Sequence, residues 1–150
     1  LGVNIWITSP DKLTFYAGRI SYLTYRIEDF SFKLSKSKTI FLEKFDIFLI
    51  RQDPPFDMNY ISNCYLLELH KKFYKKPFFV NDPTGIKNFT EKIFPLYFHK
   101  LMPQTMVSSS VEDLKSMFKK HATLVLKPLY CKGGEGIYKF SSKDKKAFVN

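Results

Sequence analysis

Cysteine, arginine and long apolar runs are all scarce in this chain, and each shortage narrows what it does. Its 150 residues hold two cysteines, Cys64 and Cys131, with no second cysteine near either at metal-site spacing. One disulfide at most can form, too little to staple a small secreted domain, so a reducing, cytoplasmic compartment is expected. No stretch approaches the roughly 18 uninterrupted apolar residues that a membrane span needs. The opening "LGVNIWITSPDKLTF" lacks the charged n-region and cleavage site of a secretory signal. Only Arg19, Arg26 and Arg51 among the 24 basic residues are arginine. Arginine is the usual reader of base edges and phosphate forks, so its shortage weighs against a nucleic-acid surface.

What is there is lysine, phenylalanine, tyrosine and isoleucine, with a net charge of +10. Two readings of the charge stay open: a surface for a polyanion, or a codon composition rich in A and T. The apolar share of 45% is ordinary for a chain that buries a core. The length suits one domain, or one small domain and part of a second.

Periodicity predicts alternating α and β elements. "VNIWIT" (3–8) has the β-branched and aromatic content of a strand, and "KLTFYAGRISYLTYRI" (12–27) reads as a hairpin turning at Ala17–Gly18. "KTIFL" (38–42) is ambiguous. "DIFLIR" (46–51) is the near-continuous run of a strand buried on both faces, and "DPPFD" (53–57) ends it. Tyr60, Cys64 and Leu67 then share one helical face, and the basic "HKKFYKK" (70–76) suits that helix's C-terminus. "PFFVN" (77–81) is the next strand. "TEKIF" (90–94) is expected to open a helix with Thr90 as N-cap. In "SSVEDLKSMFKKH" (109–121), Ser109 and Glu112 read as a capping box before the stripe Val111, Leu114 and Phe118. "ATLVLKP" (122–128) returns to strand. The clearest break is "VNDPTG" (80–85), which divides the chain into residues 1–82 and 83–150.

The stretch "KPLYCKGGEGIYKF" (127–140) carries the chemistry. No Gly-Lys-Ser/Thr closes it, so it is not a Walker A loop, and "GGEG" lacks the dinucleotide spacing. A strand–loop–strand remains. Gly133, Gly134 and Gly136 would let backbone N–H groups form an anion nest, with Lys127 adding a compact charge. An ordinary glycine-rich turn beside a surface lysine fits the same residues. His70, His99 and His121 share no spacing and read as solvated or capping groups. Cys64 reads as core, and Cys131 as the thiol nearest cations.

"IRQDPPFD" (50–57), "NFTEKIFPLYF" (88–98), "LMPQTMV" (101–107) and "LVLKPLYCKGGEGIYKF" (124–140) resemble, in order and spacing, prokaryotic-type glutathione synthetase, an ATP-grasp ligase. The resemblance runs over nearly the whole chain. It implies a pre-ATP-grasp, Rossmann-like open sheet domain at 1–82, followed by the first part of an α+β ATP-grasp domain at 83–150. It implies ATP and Mg2+ as cofactors, and γ-glutamylcysteine and glycine as substrates joined through an acyl phosphate. Lys92, Lys127 and the loop Lys132, Gly133, Gly134, Glu135, Gly136 and Ile137 would take the nucleotide. Arg51, at a strand end, would pair with a peptide carboxylate, while Asp53 and Asp57 shape the turn, Asp57 capping the next helix. No catalytic side chain and no metal ligand is assigned.

Against the family, Cys131 stands where glycine is common, and Pro95 follows Lys92 closely enough to disturb a helix there. The family's first strand, loop and helix would precede Val3, and the later part of the ATP-grasp domain would follow Asn150. Expectations are therefore a fragment inactive alone, completed by a second polypeptide, and a homo-oligomer when complete. The alternatives are a basic polyanion- or nucleic-acid-binding protein and an inactive gene remnant.

Overall fold

The computed structural model describes residues 2–131, 133–141 and 143–144. The chain forms two compact units, Leu1–Phe89 and Thr90–Asn150. The break falls after Phe89, so the short helix that follows "VND" packs with the first unit.

The first unit opens with an antiparallel sheet centred on β3 (Arg19–Arg26), which pairs with β1 (Trp6–Ile7), β2 (Leu13–Tyr16) and β4 (Lys38–Phe41). The β2–β3 turn is the expected one: Tyr16 faces Arg19, and Ala17 and Gly18 both take positive φ, 47° and 80°. Two left-handed residues give the twist a two-residue hairpin needs, and glycine supplies one of them without strain. β1 is only two residues of the expected 3–8.

A βαβ unit follows. β5 (Ile47–Leu49) pairs in parallel with β6 (Phe78–Val80) through helix α1 (Met58–Phe73). Asp57 caps α1, accepting from the Tyr60 N–H at 2.9 Å. The buried face of α1 is Tyr60, Cys64 and Leu67, continued by His70. His70 is therefore buried, where a solvated or capping group was expected. Its position three residues past Leu67 keeps it on the apolar face. Its Nε2 pairs with the Lys76 carbonyl at 2.9 Å, and its ring stacks on Tyr74. Helix α2 (Pro83–Asn88) starts on Asp82, whose carboxylate accepts from the Thr84 and Gly85 N–H groups. Glu68 and Lys87 tie α2 to α1 at 2.7 Å, and Lys71 pairs with Asp82.

The core of this unit is Ile20, Tyr22, Leu42, Ile50 and Leu67, with Phe48 and Phe79 against it. Phe48 stacks between Tyr22 and Phe79, with ring centres 5.2 and 5.9 Å away. The β5 run is not buried on both faces: Ile47 and Leu49 are 64% and 59% exposed, and Phe78 is 70% exposed. The sheet and α1 cover only the Phe48–Phe79 side. A parallel pair needs a layer on each side to bury both, and the described residues supply one.

Among buried polar contacts, Arg19 Nε donates to Glu43 Oε1 at 2.9 Å while its guanidinium lies 3.6 Å from the Phe41 ring centre. Burial pushes the Glu43 carboxyl up, but its own backbone N–H, Arg19 and His70 outweigh that and hold it below the ordinary value. Lys71 lowers Asp82, and Lys87 lowers Glu68. Groups with depressed folded values bind fewer protons folded than unfolded. Their stabilisation is present above about pH 4.5 and is lost as pH falls through the folded values. A thermal melt series from about pH 6 to about pH 3 is expected to show a falling midpoint, with a shallower fall in Glu43→Gln. An equal slope in both proteins would remove Glu43 from the acid response.

The second unit has helix α3 (Val111–Lys120) and a hairpin of β7 (Thr123–Leu126) with β8 (Tyr138–Ser141). Phe118, buried on α3, meets Phe140 edge-on at 6.3 Å. The cap is shifted by one residue from expectation and no reciprocal box closes, since the Ser110 N–H donates to Ser108 Oγ at 3.0 Å. Ser110 caps α3, accepting from Asp113 N–H at 3.2 Å, and its hydroxyl meets Glu112. Ser109 and Ser110 each precede an acidic residue by three, and Ser110 places Val111 as the first helical residue. "TEKIF" also differs: Glu91–Ile93 form a turn, followed by a 3-10 helix at Phe94–Leu101 that has no side-chain cap. Pro95 explains this, since it has no N–H to give to an α-helical partner.

Candidate functional site

The glycine stretch joins β7 to β8, as the strand–loop–strand reading requires. Leu126 faces Tyr138 at the top of the ladder, and Lys127 lies exposed just beyond. Gly133, Gly134 and Gly136 take φ of 59°, 84° and 67°. The Ile137 N–H closes the turn on the Gly134 carbonyl at 3.3 Å. At Gly136 the close approach is severe: a Cβ there would stand 2.7 Å from Pro128 Cγ. Pro128, immediately after Lys127, thus packs on the far end of the loop.

Lys92 comes from the turn before the 3-10 helix, far away in sequence, to the near end. Its ammonium donates to the Cys131 carbonyl at 2.7 Å and to the Leu129 carbonyl at 3.3 Å. Lys92 is half-buried, whereas Lys127, Glu135 and Ile137 are exposed. So the second unit gathers Lys92, the end of β7 and the loop glycines in one place. Lys132 lies outside the described residues.

Arg51 belongs to the first unit. Its exposed side chain follows Ile50, whose N–H donates to the Val80 carbonyl, at the carboxyl end of the parallel pair. That edge is where ligands sit in open α/β sheets. Tyr60, pinned through Asp57, donates its hydroxyl to the Gln52 carbonyl at 3.3 Å, tying the "RQDPPFD" turn to α1.

The comparisons with known proteins divide the chain as the contacts do. Residues 1–87 match the profile described as prokaryotic glutathione synthetase, N-terminal domain, and residues 91–149 match the ATP-grasp domain of the same enzyme. The chain belongs to the prokaryotic glutathione synthetase family. Among curated relatives, the glutathione synthetase of Bradyrhizobium diazoefficiens is 36% identical, over 91% of this chain and 44% of its own. That of Brucella melitensis is 34% identical over 96% and 47%, and that of Agrobacterium fabrum 35% over 98% and 46%. The chain thus spans just under half the length of the relatives it matches. The mixed helix and strand architecture with small sheets agrees with an N-terminal domain followed by part of an ATP-grasp domain.

For a member of this family the residues present fit one of the two implied groups. Three left-handed glycines in a hairpin loop, with Lys127 and Lys92 at its near end, suit phosphate oxygens. For magnesium the described residues assemble no ligand set. Among the described residues no three His, Cys, Asp or Glu side chains converge, and the Asp144 carboxylate already accepts from the Ser141 N–H and hydroxyl. Cys64 is core, its thiol pushed up by burial. Among the described residues no helix is long and apolar enough to cross a membrane.

Sequence reasoning missed the two backbone carbonyls that hold Lys92, because no residue pattern marks a carbonyl. Pro128 against Gly136 was more accessible: a proline at a strand end facing a glycine loop is a packing signal.

Proposed function

We propose that these residues form the peptide-binding first domain and the opening part of the nucleotide-binding domain of an ATP-dependent carbon–nitrogen ligase. It joins γ-glutamylcysteine to glycine, with ATP going to ADP and phosphate. The observation that carries this reading is the β7–β8 hairpin: three left-handed glycines and two lysines gathered within the segment that matches the ATP-grasp profile. ATP supplies the phosphoryl group that activates a carboxylate. This chain's part is to hold it, with the Lys127 ammonium and the N–H groups of Gly133, Gly134 and Gly136 facing the developing negative charge. Lys132, Glu135 and Ile137 belong to the same loop. Arg51, with a planar fork suited to a carboxylate, takes the peptide. No step is assigned to magnesium on these residues.

Homo-oligomerisation, and completion of the fold by a further polypeptide segment, belong to the same proposal. A cytoplasmic location agrees with two unpaired thiols.

The test is ADP release with ATP, magnesium, γ-glutamylcysteine and glycine. The 150-residue polypeptide alone is expected to give none, because a cleft walled on one side stays wet and its electrostatic contacts weak. A chimaera, in which this chain replaces the matching stretch of the Bradyrhizobium diazoefficiens glutathione synthetase, is expected to turn over only with all four components. A folded chimaera without turnover, or one indifferent to γ-glutamylcysteine, would sink the reading.

A further inference from the structure

The resemblance gives Lys92 one task, touching phosphate, but the geometry points to another. Lys92 spans 37 and 39 residues of sequence to reach Leu129 and Cys131, and both of its hydrogen bonds end on backbone carbonyls. Two carbonyls two residues apart can face one ammonium only if the chain between them curls around it. Tyr130, between them, is turned out at 64% exposure. Lys92 thereby pins the segment that leads into Gly133–Gly136, and Pro128 packs against the loop's other end at Gly136. An ammonium has three donor protons, so two of them are taken before any ligand arrives.

We propose that Lys92 is a positioning residue: its ammonium tethers the Leu129 and Cys131 carbonyls and so sets the glycine loop in place before nucleotide binds. The step from tether to nucleotide rests on the ligase reading above; the tether itself does not. Charge-assisted bonds to partly buried carbonyls are strong enough to matter for a loop in which the described residues show one turn hydrogen bond, Ile137 N–H to the Gly134 carbonyl.

Cys131 reports on the tether directly, because it is half-buried on the pinned segment, and the chain's other thiol, Cys64, is buried in the first unit. The experiment is alkylation of the nucleotide-free 150-residue chain by iodoacetamide, each thiol followed by mass spectrometry, with amide exchange of the β7–β8 ladder as the folding control. Lys92→Met is expected to raise the Cys131 rate about fivefold or more with the ladder still protected. Lys92→Arg, which keeps charge and two donors, is expected to restore the slow rate. If Lys92→Met loses the ladder, Lys92→Gln takes its place, with an intermediate rate expected from its single amide group. An unchanged or slower Cys131 rate with an intact ladder, or an arginine variant as fast as methionine, overturns the tether. MgATP added to the unsubstituted chain judges the other reading: absence of any slowing counts against nucleotide binding here, while a fast methionine variant rescued by arginine still carries the tether.

Discussion

Replacing Gly136 by alanine is expected to cost the chimaera about 100-fold or more in MgATP affinity, against about 5- to 30-fold for Gly134→Ala. Both glycines take positive φ, 67° and 84°, so both substitutions carry the left-handed strain of about 1–2 kcal/mol. Only at Gly136 does the new Cβ meet anything. It would stand 2.7 Å from Pro128 Cγ, while nothing lies within 4 Å at Gly134. Pro128 sits in a rigid ring on the backbone next to Lys127, so relief must come from moving the loop or the strand end. Either motion takes the loop N–H groups away from phosphate. Equal losses in a calorimetric titration of the two variants would mean that the Pro128 contact does not shape the site.

Lys127→Ala is expected to weaken MgATP binding by about 10- to 100-fold, the worth of one charge-assisted hydrogen bond, and to leave γ-glutamylcysteine affinity within about twofold. The selectivity follows from placement. Lys127 is exposed at the end of β7 beside the loop, whereas Arg51 lies in the first unit at the end of the parallel pair. Arg51→Ala is the matching control, with the two affinities changing the other way round. A Lys127→Ala chimaera that binds MgATP as tightly as its parent would remove Lys127 from the nucleotide site.

Much of this was legible in the residues, and where it was not the reason is physical. Ala17–Gly18 announced a two-residue hairpin because only left-handed residues close one. Tyr60, Cys64 and Leu67 announced a helix face, and the same spacing extended to His70 would have placed that histidine in the core; its lysine neighbours masked it. "DIFLIR" does hold a strand, at Ile47–Leu49, but it is not buried on both faces: Ile47 and Leu49 are open, because composition records what a strand can bury and not how many layers the described residues supply. Ser109 and Ser110 offered two equivalent capping registers, which sequence spacing cannot rank. At the site, glycines and Lys127 stood out because side-chain chemistry or its absence defines them. The tether from Lys92 did not, since its partners are carbonyls that every residue carries. The family's motifs covered what local pattern could not: "LKP" and the double glycine resemble this family only in company with "DPPFD" some seventy residues earlier.

The most direct measurement is a titration of the isotope-labelled 150-residue chain with a non-hydrolysable ATP analogue and magnesium, followed by amide chemical shifts. The expected result is weak, saturable binding whose largest shifts fall on Gly133, Gly134, Gly136 and the end of β7, and which Lys127→Ala abolishes. Shifts confined to the lysines at and just beyond the end of α1, Lys71–Lys76, and erased by modest salt, with the glycine amides unmoved, would contradict it and return the charge of +10 to a non-specific polyanion surface.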